Sequence, residues 1–152
     1  MEIKGICAGE LTAAQKASLV EIAQGISTLP PEWSTLEQRF SRYDTWAFFD
    51  RGELVGYGLA DGKSSYCGGC VQLVELKYRW QYNREPEICR MICQLSQQYR
   101  QLAQMMVVDI NPRRDLNLTV YQKLGFKPSM IRSPLERGNM VLICRMDALQ
   151  EV

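Results

Sequence analysis

Residues 107–126 read VVDINPRRDLNLTVYQKLGF, and this stretch decides the fold. Residues 105–110 are an almost continuous apolar run, which is typical of a buried strand. Asn111-Pro112 interrupts that strand with a loop. Residues 115–124 then predict a short helix that ends at Gly125, because glycine is the usual residue just past a helix C-terminus. The stretch therefore predicts a strand, a loop and a short helix.

The segments on either side predict a mixed α/β chain. Thr12 and Gln15 form a capping-box pattern at the start of a helix whose apolar residues follow the 3.6-residue period. The predicted strands are 2–7, 45–49, 54–60, 71–80, 105–110, a short one at Phe126, and 140–146. The predicted helices are 12–27, 31–42, one that starts at Pro86, and 115–124. Helices that alternate with strands late in the chain indicate a mixed sheet with a parallel portion.

Composition and charge exclude several classes of function. The chain has 152 residues, which suits one domain over residues 1–152, with 46% hydrophobic and 23% charged residues. A net charge of +1 gives no global basic field for nucleic acid or an anionic membrane. No apolar run is long enough to span a bilayer, and the first residues lack a signal-peptide pattern, so we expect a cytoplasmic protein. The absence of histidine excludes histidine-based triads and histidine metal ligands.

The six cysteines leave one alternative open. Cys67 and Cys70 form a CxxC pair, and Cys89 and Cys93 lie one helical turn apart. Four thiolates in this pattern would suit zinc, and the CxxC pair alone would suit redox chemistry. We expect free thiols in a reducing compartment and no metal site, because cysteine on a helix often packs as a small apolar residue. Whether Cys67 and Cys70 have a role stays open.

With these elements in place, the chain resembles the GNAT acetyltransferase superfamily. The resemblance depends on Asn111-Pro112 after the strand and on Tyr121-Gln-Lys-Leu-Gly125-Phe126 at the end of the short helix. The hairpin over residues 46–61, which contains Gly56-Tyr-Gly58, is similar to the second and third strands of the family. The resemblance implies a mostly antiparallel central sheet with a splayed parallel strand pair, flanked by about four helices.

The resemblance also implies an acetyl-coenzyme A-dependent N-acetyltransferase in which a primary amine attacks directly. A tyrosine near the end of the short helix often protonates the departing thiolate in this family, and that role falls on Tyr121. Glu75 is the nearest strand carboxylate and the candidate general base, with Asp109 and Glu53 as weaker candidates. The alternatives are a Tyr121 ring that anchors the helix and a Glu75 that is a surface charge.

The coenzyme-binding residues that the resemblance implies come from three places. The pantetheine arm would pair with a strand backbone at Leu76, Lys77 and Tyr78, and the remaining candidates are Asn83, Arg84, Asn111 and Arg114. The glycine-rich diphosphate loop of the family has no counterpart here, because residues 80–88 contain no glycine. Pro86 also removes one backbone N–H, and Glu85 and Glu87 add negative charge at the helix start. Arg84, with Arg79 or Lys77, would have to compensate.

These departures leave a second interpretation beside the enzyme. It is a non-catalytic interaction or regulatory domain that keeps the scaffold but binds coenzyme A weakly or not at all. The acceptor of an active enzyme would be a small-molecule or peptide amine, selected by the first two helices and by residues 132–139. Three aromatic residues in or just after the second predicted helix either line an acceptor pocket or belong to the core, namely Trp33, Phe40 and Tyr43. The oligomeric state also stays open, with a homodimer through the last strands as one alternative.

Overall fold

The computed structural model describes residues 1–25, 27, 29–63, 66, 68–115 and 117–149, so Cys67 of the CxxC pair lies outside the described residues. The strands are β1 Glu2–Ile6, β2 Asp44–Asp50, β3 Glu53–Asp61, β4 Cys70–Tyr78, β5 Met105–Ile110, β6 Lys127–Pro128 and β7 Met140–Arg145. The helices are α1 Ala13–Gln24, α2 Trp33–Arg42, α3 Glu85–Gln97 and α4 Leu118–Leu124. The order of these strands and helices is the predicted one.

Within the described residues, the strands form one sheet of seven in the order β1-β2-β3-β4-β5-β7-β6. β4 and β5 are parallel, whereas β1–β2, β2–β3, β5–β7 and β6–β7 are antiparallel. The parallel register starts at Cys70 opposite Met105 and reaches Leu73 opposite Val108. The predicted fold class, a mostly antiparallel sheet with one parallel pair and about four helices, is confirmed.

One compact unit comprises Met1–Ala60 and Glu75–Arg84. The predicted capping box of α1 is confirmed, because Thr12 accepts from the Gln15 amide at 3.1 Å and Gln15 accepts from the Thr12 amide at 2.9 Å. The helix ends at Gln24 rather than near residue 27, since Gly25 takes a positive φ of 55°. The buried side chains of this unit include Leu19, Ile22, Leu36, Phe40, Phe48, Tyr57 and Leu59.

The second unit comprises Asp61–Val74 and Glu85–Val152. Its helix α3 buries the apolar residues that the predicted 3.6-residue period places on one face, namely Ile88, Met91, Ile92 and Leu95. Strand β5 is buried as its apolar run predicts, with Met106, Val107 and Val108 almost inaccessible to solvent. α4 ends at Gly125, whose φ of 101° is the left-handed conformation that glycine adopts readily.

Three further sequence-based boundaries were also wrong. β4 ends at Tyr78, because the chain turns into a 3-10 helix over Trp80–Tyr82. α4 begins at Leu118 rather than at Asp115, because the Asp115 carboxylate accepts from the Asn117 amide at 2.8 Å and closes a turn. α2 begins at Trp33, two residues after the predicted start at Pro31.

The cysteines differ in part from the prediction of free thiols. Cys70 is disulfide-bonded, whereas four others form no disulfide, namely Cys7, Cys89, Cys93 and Cys144. In the part of the chain that the structure describes, no three His, Cys, Asp or Glu side chains are grouped to hold a metal ion. Within that same part, no helix has the length and hydropathy of a membrane span.

Candidate functional site

Glu75 lies on β4 and is held from two sides. The Tyr57 hydroxyl donates to its Oε2 at 2.8 Å, and the Arg39 guanidinium donates to its Oε1 at 3.1 Å. Its side chain is 16% exposed. Burial, followed by the charge of Glu75, raises the pKa of Tyr57 far above its ordinary value. The result is a neutral phenol bound to a fixed carboxylate.

The end of β4, which contains Leu76, Lys77 and Tyr78, packs closely against β3. A Cβ added at Gly56 would lie 2.8 Å from the Lys77 carbonyl oxygen and 3.2 Å from the Tyr78 Cβ. The Lys77 ammonium donates to the Ala23 carbonyl in the last turn of α1 at 3.0 Å. This bond satisfies a helix C-terminus, where a cation is favourable, and it directs Lys77 to a protein partner.

The other residues expected to compensate for the missing diphosphate loop have different environments. Arg79 donates to the Leu54 carbonyl at 3.0 Å and pairs with Glu21. Asn83 accepts from the Tyr78 hydroxyl at 3.2 Å, so two of the predicted binding residues are brought together. Arg84 is exposed.

The start of α3 carries two acidic side chains. The Glu85 carboxylate pairs with the Lys123 ammonium of α4 at 2.6 Å, and this hydrogen bond raises the pKa of Lys123. Glu87 pairs with Arg90 at 3.7 Å. A diphosphate at a helix start needs free backbone N–H groups in a positive field. The residues present at α3 do not fit a diphosphate, because two carboxylates occupy the first turn and Pro86 has no N–H.

Tyr121 lies on α4 and is 5% exposed. Its ring packs edge-to-face on Phe126, with the ring centroids 5.4 Å apart. The turn at Gly125 brings these two rings together, because the Phe126 amide bonds back to the Tyr121 carbonyl at 3.0 Å. The Tyr-x-x-x-Gly-Phe pattern therefore has a packing function, whatever the Tyr121 hydroxyl does.

Asn111 and Arg114 lie in the loop between β5 and α4. The Asn111 side-chain oxygen accepts from the Arg113 amide at 3.0 Å and so closes a turn. Arg114 pairs with Glu136 at 2.7 Å, and both side chains are exposed. Glu136 belongs to residues 132–139, the segment expected to select the acceptor.

Asp109 is the centre of a cluster that the sequence alone does not predict. Its carboxylate accepts from the Tyr66 hydroxyl, from the Ser133 hydroxyl at 2.6 Å and from the Asn139 amide at 2.8 Å. The Asn139 side-chain oxygen is buried without a hydrogen-bond partner. The turn markers Ser133-Pro and Gly138-Asn139 were the only signal in the sequence, and they did not indicate which carboxylate these residues would reach.

Comparisons with known proteins give structural relatives only. No protein-family model and no curated protein sequence matches the chain. The aminoglycoside 6'-N-acetyltransferase from Enterococcus faecium is similar in structure, with a TM-score of 0.70, 12% identity, and coverage of 96% of this chain and 97% of that one. A GNAT family acetyltransferase from Elizabethkingia anophelis with acetyl-CoA bound is also similar, with a TM-score of 0.67 and 12% identity. That match covers 95% of this chain and 97% of the other.

A third relative is the ribosomal-protein-S18-alanine N-acetyltransferase from Escherichia coli. Its TM-score is 0.67 at 13% identity, and the match covers 95% of this chain and 93% of that one. All three identities are too low to transfer an activity, but the similarity spans nearly the whole of each chain. Together with the seven-stranded sheet and its parallel β4–β5 pair, these matches show that the chain has the GNAT fold.

Proposed function

We propose that this protein transfers an acetyl group from acetyl-coenzyme A to a primary amine. The observation that carries the proposal is the parallel β4–β5 pair within this fold. Its register covers Cys70–Leu73 on β4, and the strand continues to Tyr78. The backbone amides of residues 76–78 are the groups we assign to the pantetheine arm of the donor.

The proposed reaction is a direct attack in a ternary complex. The amine nitrogen bonds to the thioester carbonyl carbon, and negative charge develops on the carbonyl oxygen, where a backbone N–H of β4 would stabilise it. The C–S bond then breaks, and Tyr121 donates its proton to the departing thiolate. The proton that the amine loses passes to a carboxylate.

Glu75 is our candidate for that carboxylate. Each of its oxygens accepts one hydrogen bond in the structure, and a carboxylate oxygen has two lone pairs, so capacity for a proton remains. Tyr57 and Arg39 also fix its direction, which a general base requires. Asp109 is the alternative base, because its three donors include two residues of the segment assigned to acceptor selection.

Two of the relatives indicate the range of acceptors. One is named for acetylating an aminoglycoside and the other for acetylating an alanine of a ribosomal protein. We infer an acceptor that is a small-molecule or peptide amine and one acyltransferase domain over residues 1–152, working in the cytoplasm.

The second candidate function is a non-catalytic interaction or regulatory domain, and the start of α3 favours it. Glu85 and Glu87 place negative charge where the coenzyme would place more. A thermal-shift titration with acetyl-coenzyme A separates the two functions. At about 100 times its Kd, a ligand stabilises the folded state by about 2.7 kcal/mol. A shift supports the enzyme, and no shift at millimolar concentration supports the interaction domain.

A further inference from the structure

Helix α3 begins with a first turn that its own side chains neutralise. Glu85 and Glu87 lie at the positive end of the helix dipole, where carboxylates stabilise the helix. Glu85 is 45% exposed and is also paired with Lys123 at 2.6 Å, so this carboxylate is held at the helix start by a side-chain partner.

The backbone at this point offers no cradle for phosphate. The sequence has no glycine between Gly69 and Gly125, so every residue near the start of α3 carries a side chain. A cradle depends on glycine because a Cβ prevents the backbone N–H groups from approaching phosphate oxygens closely. Pro86 removes one of the first N–H groups of the helix altogether.

Two of the cations near these carboxylates are engaged, whereas Arg84, the residue before Glu85, is exposed. Lys123 pairs with Glu85, and the hydrogen bond between them raises the pKa of the lysine, so its charge is balanced within the protein. Arg90 pairs with Glu87 at 3.7 Å. A diphosphate at this turn would have to break an ion pair and then lie beside the released carboxylate.

We propose that this protein selects its acyl donor by the pantetheine arm and not by the nucleotide. The inference rests on the proposed acyl transfer and widens its donor from acetyl-coenzyme A to pantetheine thioesters, with or without the 3'-phospho-ADP of coenzyme A. The nucleotide adds little to recognition because the first turn of α3 offers its diphosphate two carboxylates, no glycine cradle and a proline without an N–H group. The weak contribution of the nucleotide is attributed to Glu85 and Glu87, and it should not depend on which amine is the acceptor.

The test compares kcat/KM for acetyl-coenzyme A and acetyl-pantetheine with the same amine. We expect the two values to agree within about tenfold, whereas a site that holds the diphosphate by two or more charge-assisted hydrogen bonds would lose at least about 100-fold without the nucleotide. Calorimetric Kd values for coenzyme A and pantetheine give the same comparison without turnover. An advantage of 100-fold or more for the nucleotide form overturns the inference and leaves the acyl transfer intact.

Variants then assign the effect to α3. The double substitution Glu85→Gln, Glu87→Gln should raise kcat/KM for acetyl-coenzyme A by about two- to fivefold per charge, since each charge near a helix end has an effect of that size. The value for acetyl-pantetheine should not change. Asp147→Asn is the matched control, because it removes a carboxylate from the exposed Arg145–Asp147 pair outside α3 and α4, and neither donor should respond. An unchanged value for acetyl-coenzyme A in the double variant contradicts the inference.

Lys123→Met tests the opposite possibility, in which Lys123 breaks its ion pair with Glu85 and binds the phosphate instead. Our inference predicts a loss below about threefold for acetyl-coenzyme A, within the range of an exposed ion pair. A loss above tenfold that spares acetyl-pantetheine would make Lys123 a phosphate ligand and overturn the inference. If the protein turns over neither donor, the proposed acyl transfer is wrong, and the donor inference that rests on it is wrong as well.

Discussion

The Tyr57 hydroxyl donates a 2.8 Å hydrogen bond to the Glu75 carboxylate. Tyr57 is fully buried, and its ring packs against Phe40 with the centroids 5.1 Å apart, so the phenol is fixed by the core of its unit. Arg39 holds the other carboxylate oxygen at 3.1 Å. Glu75 therefore has one defined direction on β4, as a positioned general base requires.

The two partners of Glu75 should differ in their contribution to stability. Tyr57→Phe should lower the free energy of unfolding by about 2 kcal/mol, because a buried hydrogen bond to a charged group is lost. Arg39→Met should cost at most about 1 kcal/mol, since the Arg39 side chain is 46% exposed and the pair is screened. Urea denaturation of both variants measures the difference. A larger loss for Arg39→Met would contradict this account.

Tyr57 should also make the protein sensitive to alkali. Burial and the charge of Glu75 raise the pKa of Tyr57 in the native state, so the native state keeps a proton that the unfolded state loses above about pH 10. The unfolded state then binds fewer protons, and stability must fall as pH rises, by up to about 1.4 kcal/mol per pH unit for one group. Unfolding free energies between pH 9 and 11.5 should show a steeper decline in wild type than in Tyr57→Phe. Parallel curves would refute the raised pKa.

Gly56→Ala should be destabilising because the added methyl group meets backbone. The new Cβ would lie 2.8 Å from the Lys77 carbonyl oxygen, which cannot move without shifting β4. We expect a loss of about 1–3 kcal/mol. Gly9→Ala is the control, because an added Cβ there has nothing within 4 Å, and it should be neutral. Equal unfolding midpoints for the two variants would show that β3 and β4 tolerate the extra volume.

Asp109→Asn should loosen the segment that contains Ser133 and Asn139. An amide NH₂ would replace an oxygen that accepts hydrogen bonds, at a cost of about 1–3 kcal/mol. Trypsin should then cleave faster at Arg132 or Arg137, and Tyr66→Phe, which removes one of the three donors to Asp109, should have a smaller effect. Unchanged proteolysis in Asp109→Asn would mean that the carboxylate does not hold this segment.

The predictable part of the structure is the part encoded locally. The capping box of Thr12 and Gln15, the end of α4 at Gly125 and the bounds of β5 all follow from neighbouring residues, and all are confirmed. The contacts of the candidate site are not local. Tyr57 and Glu75 lie 18 residues apart in sequence, and Tyr66 and Asp109 lie 43 apart. Hydrophobic periodicity predicts on which face of a helix or strand a residue lies. It does not predict which polar side chains from distant strands and loops form hydrogen bonds with each other.

The proposed acyl transfer is tested most directly by thiol release. Purified protein is mixed with acetyl-coenzyme A or acetyl-pantetheine and a panel of small-molecule and peptide amines, and the acetylated amine is identified by mass. We expect amine-dependent thiol release in wild type, and in Tyr121→Phe a kcat lower by about 100-fold or more with little change in the Kd of the donor. Release that never exceeds the protein-free background, with either donor and every amine, would contradict the acyl transfer.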